Sequence, residues 1–297
     1  MVLAESSPNF LDNQMSKTEL EYIFRVISLA ANGYTDLYDL LTDQKVPIEY
    51  IKCPLSTNSR DEVNRALAYR PVVLHCWGPP GYSATRPEIP EPKLLQELSR
   101  LSDAPFVSVH LDYLPQLDGE LDPLGLIARV HEMVKRLRDL TEKEILLENV
   151  PWYPWTDRPR ISVDPSFIDD IVENTGAGLL LDLAHAQVAA WHQSLPVEDY
   201  VMALPLEQVR EIHISGPRMS EEGLRDRHMS LRETDSAILE LVLEETPNLE
   251  LITSEYSGRR PNTASYNELD GPETLARDLK TLDEIRLRRN SVLVGEA

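Results

Sequence analysis

The chain has 297 residues and carries 50 acidic against 29 basic side chains, a formal charge of −21 at pH 7. Nucleic-acid binding draws most of its affinity from Lys and Arg neutralising phosphates, and with no basic block or stripe in this sequence a nucleic-acid partner is disfavoured. Apolar residues make up 42%, enough for a sizeable core, while no apolar run is long enough to span a membrane.

Residues 1–17 are polar and aperiodic, and read as a flexible N-terminus that does not resemble a signal peptide. Residues 18–297 read as one catalytic domain. Its first strand-like run is Arg25 to Ala30, although Glu19 to Ala30 reads equally as helix. Ile48 to Cys53 follows, then six further runs: Val72-Val-Leu-His75, Phe106-Val-Ser-Val-His110, Ile145-Leu-Leu-Glu148, Leu179-Leu-Leu-Asp182, Glu211-Ile-His213-Ile and Leu251-Ile-Thr-Ser-Glu255. Between them lie amphipathic segments, Arg60 to Ala68, Glu91 to Leu101, Leu124 to Leu140, Pro165 to Asn174 and Ser236 to Glu245, with Pro272 to Arg288 as a final helix. Strands alternating with helices imply βαβ units with right-handed crossovers. Eight such units in a chain near the typical ~250 residues predict a single closed (β/α)8 TIM barrel. No Gly-x-Gly-x-x-Gly turn follows an early strand, which weighs against a doubly wound open sheet. The two cysteines, Cys53 and Cys76, give no disulfide framework and fit a reducing, cytoplasmic setting. Cys76 reads as a core residue.

Five of the seven histidines sit with carboxylates at the ends of these runs or just beyond them. An ionisable group that ends a buried strand needs a partner, because burying it alone costs several kcal/mol or more, of order 2–7 kcal/mol even for a neutral polar group. In a barrel, the carboxyl ends of the strands form the active site. His75, His110, Glu148, Asp182, His185, His213, Asp226, His228 and Glu255 therefore form a candidate metal constellation. Asp226 and His228, in the loop after the Glu211 run, would lie on one face if extended. Imidazole and carboxylate without thiolate suit iron, zinc or manganese. Singly each residue has an ordinary alternative: His110 as a hydrogen-bonded strand end, Asp182 as a helix cap, Asp226 and His228 as a solvated loop. His131 and His192 fall within or beside helical stretches and read as packing or surface residues.

The order of these nine residues resembles the ligand pattern of the endonuclease-IV-like branch of xylose-isomerase-like TIM barrels. Within that superfamily, Leu146-Leu-Glu-Asn-Val-Pro151, Gly176 to His185, Val209 to Arg218 and Leu224-Arg-Asp-Arg-His228 are similar to the multinuclear non-heme iron-dependent oxidative enzymes, the family of the methanobactin-biosynthesis oxidase. The similarity covers about residues 45 to 260. It implies three metal positions: His75, His110 and Glu148; Glu148, Asp182, His213 and Glu255; and His185, Asp226 and His228. Many members of that family carry Asn where this chain has His185.

The resemblance implies an oxidase holding two or three Fe ions (Fe2+/Fe3+) that uses O2 to modify a cysteine-containing peptide or small thiol, with a partner protein presenting the substrate. Tyr113, Asn149 and Arg218 are the expected catalytic, substrate-facing groups, with Trp77, Trp152 and Tyr153 beside them. A zinc phosphodiesterase resembling endonuclease IV is the alternative, and a single-metal sugar isomerase or epimerase of the same fold comes third.

Overall fold

A computed structural model describes residues 26–43, 46–54, 59–75, 82–102, 104–258 and 271–295. The expected flexible terminus, Cys76 and Trp77 lie outside the described residues.

Eight parallel strands close into a barrel: β1 (Ser28–Asn32), β2 (Tyr50–Pro54), β3 (Val72–His75), β4 (Phe106–His110), β5 (Glu144–Glu148), β6 (Gly178–Asp182), β7 (Val209–Ile214) and β10 (Leu251–Ser254). Each pairs with its neighbours in the barrel, and β1 closes the ring against β10, with Ser28 opposite Leu251 and Ala31 opposite Ser254. The strand reading of the first run holds from Ser28 onward. Two further strands, β8 (Gly216–Ser220) and β9 (Gly223–Met229), form an antiparallel hairpin where a loop was expected.

The outer layer comprises α1 (Thr35–Asp43), α2 (Ser59–Leu67), α3 (Pro92–Leu101), the single turn α4 (Pro115–Asp118), α5 (Pro123–Thr141), α6 (Pro165–Thr175), α7 (Leu183–His192), α8 (Val197–Met202), α9 (Glu233–Glu244) and α10 (Pro272–Gly295). Proline fills the first turn of α3, α5 and α6, where its missing N–H costs nothing. Asp122 and Asp164 cap α5 and α6 by accepting from Gly125 N and Ser166 N.

The strands look uniformly aliphatic in sequence, but their period of two sorts the side chains into two regions. Leu29, Ile51, Leu74, Val107, Val109, Leu147, Leu181, Ile212 and Ile252 join the large core shared with the helices. Ala30, Val73, Phe106, Leu146, Leu180 and Leu251 belong to a separate cluster that fills the barrel interior. On the same parity, toward the carboxyl ends, come Lys52, His75, Ser108, His110, Glu148, Asp182, Glu211, His213 and Thr253. The apolar plug thus floors a polar chamber at the mouth where the strands end.

Candidate metal centre

Backbone pairing sets the first contacts of the chamber. His110 lies opposite Glu148 across β4 and β5, and Asp182 opposite His213 across β6 and β7. Glu148, 1% exposed, is the hub. Its Oε2 lies 3.1 Å from both His75 Nε2 and His110 Nε2. Its Oε1 lies 3.5 Å from His185 Nδ1 and 3.5 Å from His213 Nδ1. Glu255, directly after β10, places Oε1 3.4 Å from His213 Nδ1 and Oε2 3.5 Å from His228 Nε2.

Asp182 ends β6 and caps α7 through Oδ1, which accepts from His185 N at 2.7 Å. Asp182 therefore caps a helix and lines the chamber at once. Its Oδ2 is buried and accepts no hydrogen bond among the described residues; the nearest ion-pairing atom is His185 Nδ1 at 3.8 Å. The hairpin supplies the remaining pair. Asp226 Oδ2 lies 2.8 Å from His228 Nε2 and 3.5 Å from His185 Nε2. His228 has φ 47°, the left-handed region that side chains other than Gly, Asn and Asp rarely adopt. Asp226 Oδ1 accepts from His228 N, and His228 O accepts from Ser257 N, so the unusual backbone is held from two sides.

Three of the imidazoles have their second nitrogen fixed. Ser108 Oγ contacts His75 Nδ1 at 2.8 Å. His185 Nδ1 donates to the Asn149 carbonyl at 2.8 Å, which leaves Nε2 toward Asp226. His213 Nε2 lies 3.1 Å from Glu211 Oε1, an oxygen that also accepts from Thr253 Oγ1 at 2.6 Å. Partners of this kind orient a ligating histidine and set its tautomer.

Burial and the Lys52 ammonium push His75 down to about 3, so it stays a neutral donor, and burial lowers His110. Burial and Lys52 also oppose a charge on His213, yet Glu255, Glu211 and Glu148 hold it up at about 9. Burial raises Asp182 to about 7, with His185 opposing and Glu255, Glu148 and Asp226 adding to the rise. Glu148 and Glu255 stay well below the usual carboxylate range despite burial, held there by His110 and His75 in one case and by Lys52 and His213 in the other. Without a metal, the chamber gathers protons to offset its carboxylates.

The nine residues expected from sequence all lie in this chamber, and their ligand atoms fall into sets no more than 4.8 Å apart: His75, His110, Glu148; Glu148, Asp182, His213, Glu255; His185, Asp226, His228; and His75, His213, Glu255. Metal–ligand bonds of about 2.0–2.2 Å to N and O put two donors on one ion at most about 4.4 Å apart, a range that includes the 3.1 and 3.5 Å separations around Glu148. With Asp182 Oδ2 lacking a hydrogen bond, the donor set fits metal ions.

The three expected substrate-facing groups each make hydrogen bonds within the chain. Tyr113 is buried, and its hydroxyl fastens the loop before α5 through Gly119 O, Leu121 O and Leu121 N. Asn149 ties β5 to β6, its amide donating to Asp182 O at 3.0 Å and its carbonyl accepting from Asp182 N at 2.7 Å. Arg218 donates to Pro217 O, Ser230 O and Ser230 Oγ, which staples the hairpin base. Trp152 Nε1 donates to Arg158 O, and Tyr153 OH accepts from Asp226 N. His131 and His192 are hydrogen-bonded to the carbonyls of Asn174 and Leu224, as befits residues on helices. Sequence reasoning missed Lys52, Glu211, Ser108 and Thr253, although each stands on the inward parity of its strand.

The sequence model of the RiPP precursor modification enzymes MbnB/TglH/ChrH matches residues 50–252, a span that contains eight of the nine site residues. The chain belongs to the MbnB/TglH/ChrH family. Among curated relatives, a UPF0276 protein of Caulobacter vibrioides is 32% identical over 160 residues, 50% of this chain and 55% of that protein. A UPF0276 protein of Paraburkholderia phytofirmans is 38% identical over 90 residues, 30% of this chain and 29% of that one. The match thus spans about half the length or less of these relatives. Solved structures similar in fold include the IolI protein with a bound zinc atom (TM-score 0.58, 12% identity, 89% of this chain and 99% of that one). A xylose isomerase domain protein from Alicyclobacillus acidocaldarius has TM-score 0.55 at 18% identity, over 89% and 99% of the two chains. An AP endonuclease family 2 protein from Brucella melitensis has TM-score 0.53 at 13% identity, over 79% and 94%. These neighbours share the TIM-barrel fold with this MbnB/TglH/ChrH member.

Proposed function

We propose that this MbnB/TglH/ChrH member is a multinuclear iron oxidase that uses O2 to modify a cysteine-bearing ribosomal peptide or a related small thiol. The observation that carries the reading is the convergence of five imidazoles and four carboxylates on one chamber at the mouth of the barrel. His75, His110 and Glu148 would hold one ion, His185, Asp226 and His228 another, and Glu148, Asp182, His213 and Glu255 a third. Bound iron would supply the redox equivalents and the O2 chemistry that no side chain here provides.

The chain's own residues set the conditions for that chemistry. Glu211, Ser108 and the Asn149 carbonyl fix three imidazoles before any ion arrives, so those rings need not turn on loading. The apolar plug below the chamber keeps water out of the barrel interior. At the mouth, the Arg225 guanidinium lies 4.7 Å from the Tyr153 ring centroid and 5.4 Å from that of Trp155, whose rings stack on each other. This wall of aromatic and cationic groups flanks Asp226 and is suited to holding an extended peptide against the chamber. A partner protein would present that peptide.

The test is metal analysis of chain grown on iron-57 and purified without oxygen, by elemental mass spectrometry and Mössbauer spectroscopy. Two or three irons per chain with a mixed-valence signal are expected. Zinc at that stoichiometry with negligible iron would overturn the oxidase reading in favour of a zinc phosphodiesterase.

A further inference from the structure

Lys52 is the one basic aliphatic side chain among the groups of the chamber described above. Its side chain is 1% exposed, and it stands on the inward parity of β2, with Asn32 and Val73 as its strand neighbours. From there Nζ forms an ion pair with Glu255 Oε1 and lies 3.4 Å from His213 Nδ1. Both residues belong to the middle metal position, Glu148, Asp182, His213 and Glu255. His213 has no other donor to offer, because its Nε2 is turned to Glu211. The flanking positions differ: no hydrogen bond or ion pair links Lys52 to His75, His110, His185, Asp226 or His228 among the described residues.

Resting on the reading of the chamber as a metal centre, the geometry points to Lys52 as a built-in competitor for the middle ion. The flanking histidines and Asp226 make no such contact with this ammonium, whereas the middle ion binds only when the ammonium gives up Glu255 and His213. An ammonium and a divalent cation cannot share those two atoms, and their mutual repulsion is large where water is excluded. Asp182 Oδ2, which accepts no hydrogen bond among the described residues, stays available to a cation. The resting centre is therefore binuclear in this chain, and its third ion is conditional on movement of Lys52.

The test loads metal-free full-length chain anaerobically with ferrous iron or, separately, with zinc, removes loosely held ions by gel filtration and counts the rest by elemental mass spectrometry. Wild type is expected to retain two ions per chain. Lys52→Met, uncharged and close in shape, is expected to retain three. Three ions in wild type, two in both proteins, or fewer than two in the variant would each overturn the inference. A second readout is thermal melting: zinc raises the melting temperature of Lys52→Met by more than it raises that of wild type, and equal rises would contradict the proposal. Should the variant not fold without metal, the wild-type count alone decides, two sustaining the inference and three refuting it. Absence of retained metal from both proteins would bring down the metal-centre reading itself, together with everything built on it.

Discussion

Glu148 serves four imidazoles with two oxygens, so its geometry depends on residues that never touch it. Glu211 is the clearest of these. It lies two positions before His213 on β7, faces the same interior, and fixes Nε2 so that Nδ1 points at Glu148 and Glu255. Glu211→Gln is expected to weaken metal binding about 10–100-fold, the usual effect of removing such an orienting partner. A competition titration against a chelator reads this directly, and unchanged affinity would show that Glu211 is only a packed core residue. Proton bookkeeping gives a second expectation. In the metal-free chain Asp182 holds its proton up to about 7 against an ordinary 3.8, and His213 holds its own up to about 9 against 6.5. Both protons must leave before these atoms can ligate, so metal uptake releases protons and tightens from pH 6 to pH 9. The metal-free fold moves the opposite way. Both groups bind protons more tightly when folded, so Asp182's contribution, complete below 3.8, is lost as pH rises to about 7, and His213's, complete below 6.5, is lost as pH rises through about 9. Calorimetry in buffers of different ionisation enthalpy checks the proton release; a pH-independent affinity would contradict it. The nine candidate ligands were legible in sequence because imidazole and carboxylate at strand ends are conspicuous. Lys52 and Glu211 were not, because a lysine or glutamate in a strand reads as solvated until the strand's parity is fixed. That parity becomes visible only when the interior residues Val73, Phe106, Leu146 and Leu180 separate from the outward set.

At the scale of elements, the β8–β9 hairpin is where sequence and structure part. Its second strand, Gly223-Leu-Arg-Asp-Arg-His-Met, lacks the apolar alternation that marks a half-buried strand, so it reads as loop. Pairing with β8, Arg218 opposite Arg225 and Ser220 opposite Gly223, is nonlocal information that composition does not carry. The hairpin's turn depends on Gly223, at φ 110°, where an added Cβ would lie 2.3 Å from Trp191 Cζ3. Gly223→Ala is expected to strain the hairpin by about 1–3 kcal/mol. It should weaken the ion at His185, Asp226 and His228, while the ion at His75, His110 and Glu148 stays bound. Elemental analysis of that variant checks the point, and undiminished metal would mean that the hairpin does not position Asp226. Asn149 carries a related lesson. It joins β5 to β6 and anchors His185 through its backbone carbonyl, a role that only the strand order discloses.

For the whole molecule, the barrel order was legible because eight runs alternate with amphipathic helices in a chain of suitable length. Its fastening was not. Arg286, just past the middle of α10, reaches the amino end of the barrel. Its guanidinium spans both Glu49 oxygens, at 2.7 and 3.0 Å, and donates to Ile27 O. Glu49 Oε2 in turn accepts from Leu29 N on β1, so one cluster links the last helix to the first strand. Arg286→Ala is expected to cost about 1–2 kcal/mol in urea unfolding, allowing for the half-exposed Glu49, with metal content unchanged because the chamber lies at the opposite end. Unaltered stability would show the latch to be incidental. Among the described residues no helix is long and apolar enough to cross a membrane.

The measurement that tests the metal centre most directly is anomalous X-ray diffraction at the iron and zinc edges from crystals of metal-loaded chain. Peaks are expected inside the chamber, one bonded to His75, His110 and Glu148 and another to His185, Asp226 and His228. A chamber with no anomalous density, or metal bound only elsewhere on the molecule, would contradict the account.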